Sequence, residues 1–376
     1  MASSAESPHE AGKQSFDIVS TYRSLLLSDP ELTMPVAAIE ALVSLLQNSP
    51  SLSTISEILD LLASNAEKLK QSIANPISLS AGTDLFQRYI INSLQRGGPA
   101  GAAGDFDAIR AHLLTNGRLF VARAKEARRM IAQTARQFIK VGSTVLTNGG
   151  SRVVSAVLQA AAEAQIKETG APRFRVVYAV SASYKNSYGD GGDTAEGTAT
   201  VTALRRLAVP VAMISEAAVA YSMGQIDVVL VGAEGVVENG GIISRMGTYQ
   251  MAVLAKASGK PMYVVAESHK FVRVFPLGQQ DIGVDQNVLN FTTKVEEVIE
   301  TGLLTPKANF ASRRIAGESI TPDLDGSGYF GKDALHDSKN ADFVDYTPPG
   351  YISALISENG VLTPSAVSEE LIKIWY

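Results

Sequence analysis

Residues 227–265 read DVVLVGAEGVVENGGIISRMGTYQMAVLAKASGKPMYVV, and the alternation inside this stretch decides the fold. Its two ends, 227–231 and 261–265, are short runs of consecutive apolar residues, which suits strands buried on both faces. Between them, 243–257 has the spacing of a helix, preceded by a glycine-rich loop over 232–241. Working back toward the N-terminus, the same alternation predicts strands at 143–146, 174–180 and 209–214 and helices at 151–166, 198–207 and 216–223. Strands that are apolar throughout and separated by helices imply a parallel sheet covered on both faces. Ligands on such sheets sit beyond the carboxyl ends of the strands.

Upstream of residue 140 the pattern is helical only. Apolar residues recur every three or four positions over 16–46, interrupted at Asp29 and Pro30, so two helices are expected there. Thr33 suits an N-cap, with Pro35 in the first turn. Further helices are expected over 52–73, closed by Asn75 and Pro76, and over 80–94. Residues 97–104 (GGPAGAAG) suit a flexible loop. Residues 105–139 form one long helix or two short ones, with a basic cluster at Arg118, Arg123, Lys125, Arg128 and Arg129. The fold class is therefore α/β: an all-helical N-terminal domain over 15–139, then a Rossmann-like parallel-sheet domain over 140–376. A polar, disordered leader is expected over 1–14, and insertions near 183–197 and 307–340.

Composition removes several kinds of chemistry. The 376 residues include no cysteine, which excludes disulfides, thiolate metal sites and thiol nucleophiles. The four histidines, His9, His112, His269 and His336, are scattered without ligand spacing, so no metal site is expected. A net charge of -5 gives no reason to expect direct nucleic-acid binding. No apolar run approaches the roughly 20 residues of a membrane span, and the N-terminus lacks the apolar core of a secretory signal. No cofactor is implied.

Three strand ends remain as candidate chemistry. In LTNGGSR (146–152), Gly149, Gly150, Ser151 and Arg152 offer backbone N–H groups and a guanidinium to an anion; taken alone, the same residues read more often as a plain strand-to-helix turn with a surface arginine. In GAEGVVENGG (232–241), Glu234 and Glu238 bracket glycines, as a general base or as loop caps. In AESHKF (266–271), His269 and Lys270 follow a strand, where a lone histidine is more often a packing residue than a catalytic one. No Ser/His/Asp arrangement can be assembled.

Longer strings carry a resemblance. VGAEGVVENGGIISRMGTYQMAVLAKASGKPMYVVAESHKFVRVFPLGQQD (231–281), LTMPVAAIEAL (32–42), VLTNGGSRVV (145–154) and GVLTPSAVSEELIKIWY (360–376) closely resemble the regulatory subunits of eukaryotic translation initiation factor 2B. That family is similar to the methylthioribose-1-phosphate and ribose-1,5-bisphosphate isomerases. Those enzymes use a cysteine where this chain has Gly149, an aspartate where it has Glu234, and an Asn-Lys pair where it has Ser244 and Arg245. The resemblance implies that isomerase activity is absent, since losing one acid or base costs about 10²–10⁴ in rate; an active sugar-phosphate isomerase is the alternative. It also implies a retained sugar-phosphate pocket at Gly149, Gly150, Ser151, Arg152, Glu234, Asn239, Ser244, Arg245 and Lys270.

The resemblance further implies a cytosolic regulatory subunit of the guanine-nucleotide exchange factor for initiation factor 2. Its partners would be the beta, gamma, delta and epsilon subunits of initiation factor 2B, a second copy of itself, and the phosphorylated alpha subunit of initiation factor 2. The homodimer would bridge two catalytic subcomplexes into a decamer. The phosphorylated partner would meet Thr33, Glu40, Arg88 and Asn92 on the helical domain.

Overall fold

The computed structural model describes residues 16–29, 32–49, 54–73, 75–95, 106–180, 197–284, 286, 288 and 343–375. The expected leader at 1–14, the loop at 97–104, the insertion at 307–340 and, save Gly197, the insertion at 183–197 lie outside them.

Among the described residues, five helices come first: α1 (Ile18–Ser28), α2 (Met34–Gln47), α3 (Ile55–Gln71), α4 (Ile77–Gln95) and α5 (Phe106–Ala135). Local chemistry sets their starts. Asp17 accepts the Val19 N–H at the head of α1, and Thr54 with Glu57 forms a reciprocal capping box on α3. Thr33 does precede α2, with Pro35 in the first turn, but its hydroxyl makes no capping bond. Helix α2 is buried around most of its circumference: Val36, Ala37, Ile39, Leu42 and Leu46 are all at most 2% exposed. It is thus the axis on which α1, α3, α4 and α5 pack, joined in one core by Tyr22, Leu62 and Phe86. At 30 residues, α5 runs for about 45 Å. Its far end, through Ile131, Ala132 and Ala135, leaves that core and joins a second one beneath the sheet.

The α/β half follows as β1 (Thr144–Asn148), α6 (Arg152–Thr169), β2 (Arg175–Val180), α7 (Thr198–Arg206), β3 (Val211–Ser215), α8 (Val219–Ser222) and β4 (Val228–Gly232). Then come β5 (Gly235–Val237), β6 (Ile242–Arg245), α9 (Thr248–Ala257), β7 (Met262–Val265) and β8 (Phe271–Val272). It closes with β9 (Val344–Thr347), β10 (Ala354–Ser357), β11 (Gly360–Leu362) and α10 (Val367–Trp375). Among the described residues, seven strands make one sheet in the order β11-β10-β7-β4-β1-β2-β3, parallel except for β11. Every residue of β1 is buried, its polar Thr144, Thr147 and Asn148 included. Two cores flank the sheet, one on Leu146, Val229, Val264 and Met251, the other on Val145, Leu158, Val176 and Leu230.

The structure corrects the sequence reading in three places. The expected glycine-rich loop at 232–241 is largely a hairpin, β5 turning into β6. The expected helix at 243–257 begins only at Thr248, because 242–245 are strand. The expected helix at 216–223 is mostly 3-10 turns, with α8 a single turn. The hairpin belongs to a second sheet, β8-β5-β6-β9, in which β6 pairs antiparallel with β9. Ser244 therefore sits opposite Asp345, about a hundred residues on. No local periodicity reports a partner that distant, and Ile242 and Ile243 suit a buried helix turn as well as a buried strand. Ile77 and Ala81 of α4 share an apolar cluster with Val237, Ile243, Val272 and Val344, so the helical half also packs on this small sheet.

Candidate functional site

Strand β1 ends at Asn148, and the chain turns through Gly149, Gly150 and Ser151 into α6. Gly149 takes φ +73°, a left-handed conformation that glycine adopts without a Cβ penalty. Its carbonyl accepts the Tyr178 hydroxyl. Ser151 caps α6 by accepting the Val154 N–H at 3.4 Å, and Arg152 is the first helical residue, half-buried. The cap lies against β4, since a Cβ on Gly232 would overlap the Ser151 side chain. The turn is thus held between β2 and β4, with the first N–H groups of α6 above it.

Past the end of β4, the Glu234 N–H donates to the Ile243 carbonyl at 2.8 Å, although Gly235 already sits opposite Ile243 in the ladder. Two residues facing one is the pattern of a β-bulge. Beside it, Lys270 Nζ donates to the Ala233 carbonyl at 3.1 Å and lies 3.3 Å from Glu267 Oε2.

The base of the hairpin carries the second group of charges. Arg245 Nη1 donates to Glu216 Oε1 at 2.5 Å and to the Met246 carbonyl at 3.0 Å. Asp345 Oδ2 accepts the N–H groups of Gly247, at 2.7 Å, and Tyr249, at 3.0 Å, so it occupies the N-terminus of α9. Gly247 takes φ +99°, and Glu216 and Arg245 close around it. Asn148 Nδ2 donates to Thr248 Oγ1 at 3.1 Å, and Thr248 donates to the Arg245 carbonyl at 2.6 Å. This chain joins the start of α9 to the residue before Gly149, so the two helix starts are neighbours. Asp345 Oδ1 and Ser244 Oγ, cross-strand partners, are both buried without a hydrogen bond among the described residues.

Gly149, Gly150, Ser151, Arg152, Glu234, Ser244, Arg245 and Lys270 thus lie beyond the carboxyl ends of β1 and β4 or at the base of the hairpin beside them. Asn239 does not join them. It stands at the opposite end of the hairpin, where its amide donates to the Pro276 carbonyl and the Tyr346 hydroxyl and accepts the Gly241 N–H. Its chemistry there is that of a turn. Sequence reasoning also missed Glu216, Thr248 and Asp345. Glu216 directly follows a strand, a position that could have drawn attention; Asp345 becomes a site residue only through the β6–β9 pairing.

Of the four helical candidates, Thr33 is 8% exposed and buried at the head of α2. That burial takes it off the surface on which a partner was expected. Glu40 is half-buried, with Lys125 Nζ 4.0 Å from its Oε2. Arg88 and Asn92 are half-buried on α4.

Two buried carboxylates near the site titrate in opposite directions. For Asp345, burial outweighs the N–H groups of Tyr249 and Gly247 and the Arg245 charge, and Glu216 adds repulsion, so the carboxyl is pushed up to about 7. For Glu267, burial also pushes up, but Lys270, His269, a backbone N–H and Arg128 together hold the carboxyl down at about 2. His269 sits beside it, fully buried, and burial lowers it to about 4 despite Glu267. That histidine is a packed, neutral ring. Among the described residues no group of three or more His, Asp or Glu side chains is placed to hold a metal, and no helix is long and apolar enough to cross a membrane.

Residues 28–364 match the sequence model of the initiation factor 2 subunit family. The chain is 32% identical over 359 residues to translation initiation factor eIF2B subunit alpha of Dictyostelium discoideum, covering 95% of this chain and 96% of that one. It is 30% identical over 360 residues to the Caenorhabditis elegans protein of the same name, covering 95% and 98%. A shorter similarity, 30% over 162 residues, links 43% of this chain to 47% of the ribose 1,5-bisphosphate isomerase of Archaeoglobus fulgidus. Among solved structures, the tetrameric eIF2B-beta2-delta2 complex of C. thermophilum contains a chain of the same fold. Its TM-score is 0.61 at 16% identity, covering 95% of this chain and 94% of that chain.

Proposed function

The chain belongs to the initiation factor 2 subunit family, and from that premise we propose that it acts as the regulatory alpha subunit of the guanine-nucleotide exchange factor for initiation factor 2. The observation that carries this reading is the end-to-end similarity to two subunits named eIF2B alpha, which leaves neither half of the chain unaccounted for. In this role the chain forms a homodimer through its α/β half and bridges two catalytic subcomplexes of beta, gamma, delta and epsilon subunits into a cytosolic decamer. The helical half, through Glu40, Arg88 and Asn92, senses the phosphorylated alpha subunit of initiation factor 2 and conveys inhibition of exchange during stress. Thr33, buried at the head of α2, gives its carbonyl to the Ala37 N–H there.

The cleft over Gly149 to Arg152 holds a sugar phosphate without converting it. Gly149 has no side chain with which to move a proton, and Lys270 is engaged with a backbone carbonyl and Glu267. Phosphate binding needs only N–H donors and cations, which Ser151, Arg152 and the start of α6 supply.

The test is reconstitution. Added to the other four subunits, the chain should shift them in sedimentation from the subcomplex to a particle of about twice the mass, and should make exchange sensitive to the phosphorylated alpha subunit. Failure to sediment with them overturns the assignment. Incubation with ribose 1,5-bisphosphate should yield no ketose; turnover abolished by Glu234→Ala would make the chain an isomerase instead.

A further inference from the structure

Helix α4 is part of both halves of the chain. Its Leu79, Phe86 and Ile90 stand in the core of the helical half, around α2. Its Ile77 and Ala81 stand in the apolar cluster on the small sheet, with Val237 and Ile243 of the β5–β6 hairpin. The fit there is close, since a Cβ on Gly235 would lie 3.0 Å from Ile77 Cγ2. The helix also touches β8 and the 3-10 turn Ser268–Lys270. A bend in α4 would be looked for at its one glycine, Gly82. That position is clamped instead, because a Cβ there would lie 2.5 Å from Pro35 Cβ of α2.

We propose that Ile77 and Ala81 are the footing through which α4 carries what is sensed at Arg88 and Asn92 to the β5–β6 hairpin. This rests on the regulatory reading above and adds the residues that transmit. Along the helix axis, Arg88 stands about 16 Å from Ile77 and Asn92 about 22 Å. A push on one end of a helix buried in two cores is not absorbed by its side chains, because packed interiors have few voids and little compressibility. It arrives at the other end as a displacement of the hairpin, which Glu234 and Arg245 bracket, and of the turn that carries Lys270. The sensing surface and the cleft thus lie at two ends of one rod.

A competing route runs through α5. Phe120 of that helix packs on the helical core, and Ile131, Ala132 and Ala135 pack beneath the large sheet. The two routes lead to different places: α5 reaches the core under β1 and β2, whereas α4 reaches the hairpin. Arg88 and Asn92 stand on α4 itself, so the route through α4 needs no transfer between helices. Ile77 is 7% exposed and Ile131 fully buried, so the same truncation at each position asks which footing transmits.

The first experiment uses the full-length chain alone and needs no partner subunit. Urea unfolding is followed by far-ultraviolet circular dichroism and by the fluorescence of Trp375, the single tryptophan, on α10 of the α/β half. The two transitions should coincide, as they do for one cooperative unit. A separate, earlier loss of the helical signal uncouples the halves and overturns the proposal, whatever the chain's partners are. The second experiment is the reconstitution with the other four subunits, using Ile77→Ala and Ile131→Ala. Both variants should sediment with the subunits and leave the uninhibited exchange rate at the parent's value. At saturating phosphorylated alpha subunit of initiation factor 2, exchange with Ile77→Ala should run about fivefold or more faster than with the parent, while Ile131→Ala follows the parent. Full inhibition of Ile77→Ala overturns the proposal, and so does equal or greater relief by Ile131→Ala, which would place the route on α5 or in general loosening. Should Ile77→Ala not fold, Ile77→Val, one methyl smaller, must itself raise the inhibited rate by about twofold, and no rise overturns the proposal. If the unaltered chain does not sediment with the four subunits, the regulatory reading falls and the transmission with it.

Discussion

Glu267 and Asp345 are both carboxylates buried at the same end of the molecule, yet one is held at about 2 and the other pushed to about 7. Burial acts on both in the same direction. What differs is the company. Glu267 has Lys270 at 3.3 Å, Arg128 reaching over from α5, and no carboxylate at comparable range except Glu358 beyond Ser268. Asp345 shares its one cation, Arg245, with Glu216, which bonds that cation directly. Buried charge is tolerated where cations match it and resisted where a second carboxylate competes. The first cluster therefore serves as a fixed joint between the α5 helix and the strand ends. The second is an anion seat held by a group that sits near neutrality.

Three measurements would break or sharpen that contrast. The largest effect is expected at the joint. Lys270→Met strands the buried Glu267 beside a neutral side chain and should lower stability by about 3–5 kcal/mol in urea unfolding. A loss below about 1 kcal/mol would mean that Arg128 and His269 neutralise Glu267 unaided, and the cation-counting account would fail.

The next concerns the seat. The Asp345 carboxyl rises from an ordinary 3.8 to about 7 on folding. The folded state then binds the proton more tightly than the unfolded state. Its contribution to stability is complete below about pH 4 and is lost as pH climbs to about 7. Asp345→Asn keeps an acceptor for the Gly247 and Tyr249 N–H groups and removes the titration. At pH 8 the variant should be more stable than the parent by about 2 kcal/mol, with the gap closing toward pH 4. Glu267, depressed below its ordinary value, gives the opposite slope: its contribution is present above about pH 4.5 and fades only as pH falls toward 2. An Asp345→Asn variant less stable than the parent at pH 8 would show that the charged form is the favoured one.

The smallest effect is expected at Gly247. Gly247→Ala forces a left-handed φ on a residue with a Cβ and places that Cβ 3.0 Å from Glu216 Oε1. A cost of about 1–2 kcal/mol in thermal melting is expected. No cost would mean that the start of α9 relaxes freely, and Asp345 would not be holding it.

Much of the scaffold was legible in the residues. Short consecutive apolar runs such as 227–231 and 261–265 can be buried only between helices, so they announced a covered parallel sheet. The three-and-four spacing over 16–46, cut at Asp29 and Pro30, announced α1 and α2, and Thr33 with Pro35 placed the start of α2 at Met34. The turn at Gly149 to Arg152 was visible because glycines between a strand and a helix have few other uses. The hairpin was not visible. Residues 242–245 satisfy helix and strand periodicity alike, and what tips them is pairing with β9, on the far side of a long stretch of chain. Asn239 shows the converse error: the resemblance drew it into the site, whereas the hairpin carries it to the other end of the small sheet.

By itself, then, the sequence determined most of the helices and the parallel strands β1, β2, β3, β4 and β7, and that cysteine chemistry is absent. Those are properties of composition and short-range periodicity, set by each residue and its neighbours within a turn or two. Only the tertiary structure decided that Arg245 faces Glu216, that Asp345 fills the head of α9, and that Arg128 of α5 adds its charge to that of Lys270 beside Glu267. Charges interact through space at a few ångströms, and the partners here come from strands and helices far apart along the chain. Whether a cation is available to a ligand or already taken is a fact about folding, not about order in the sequence.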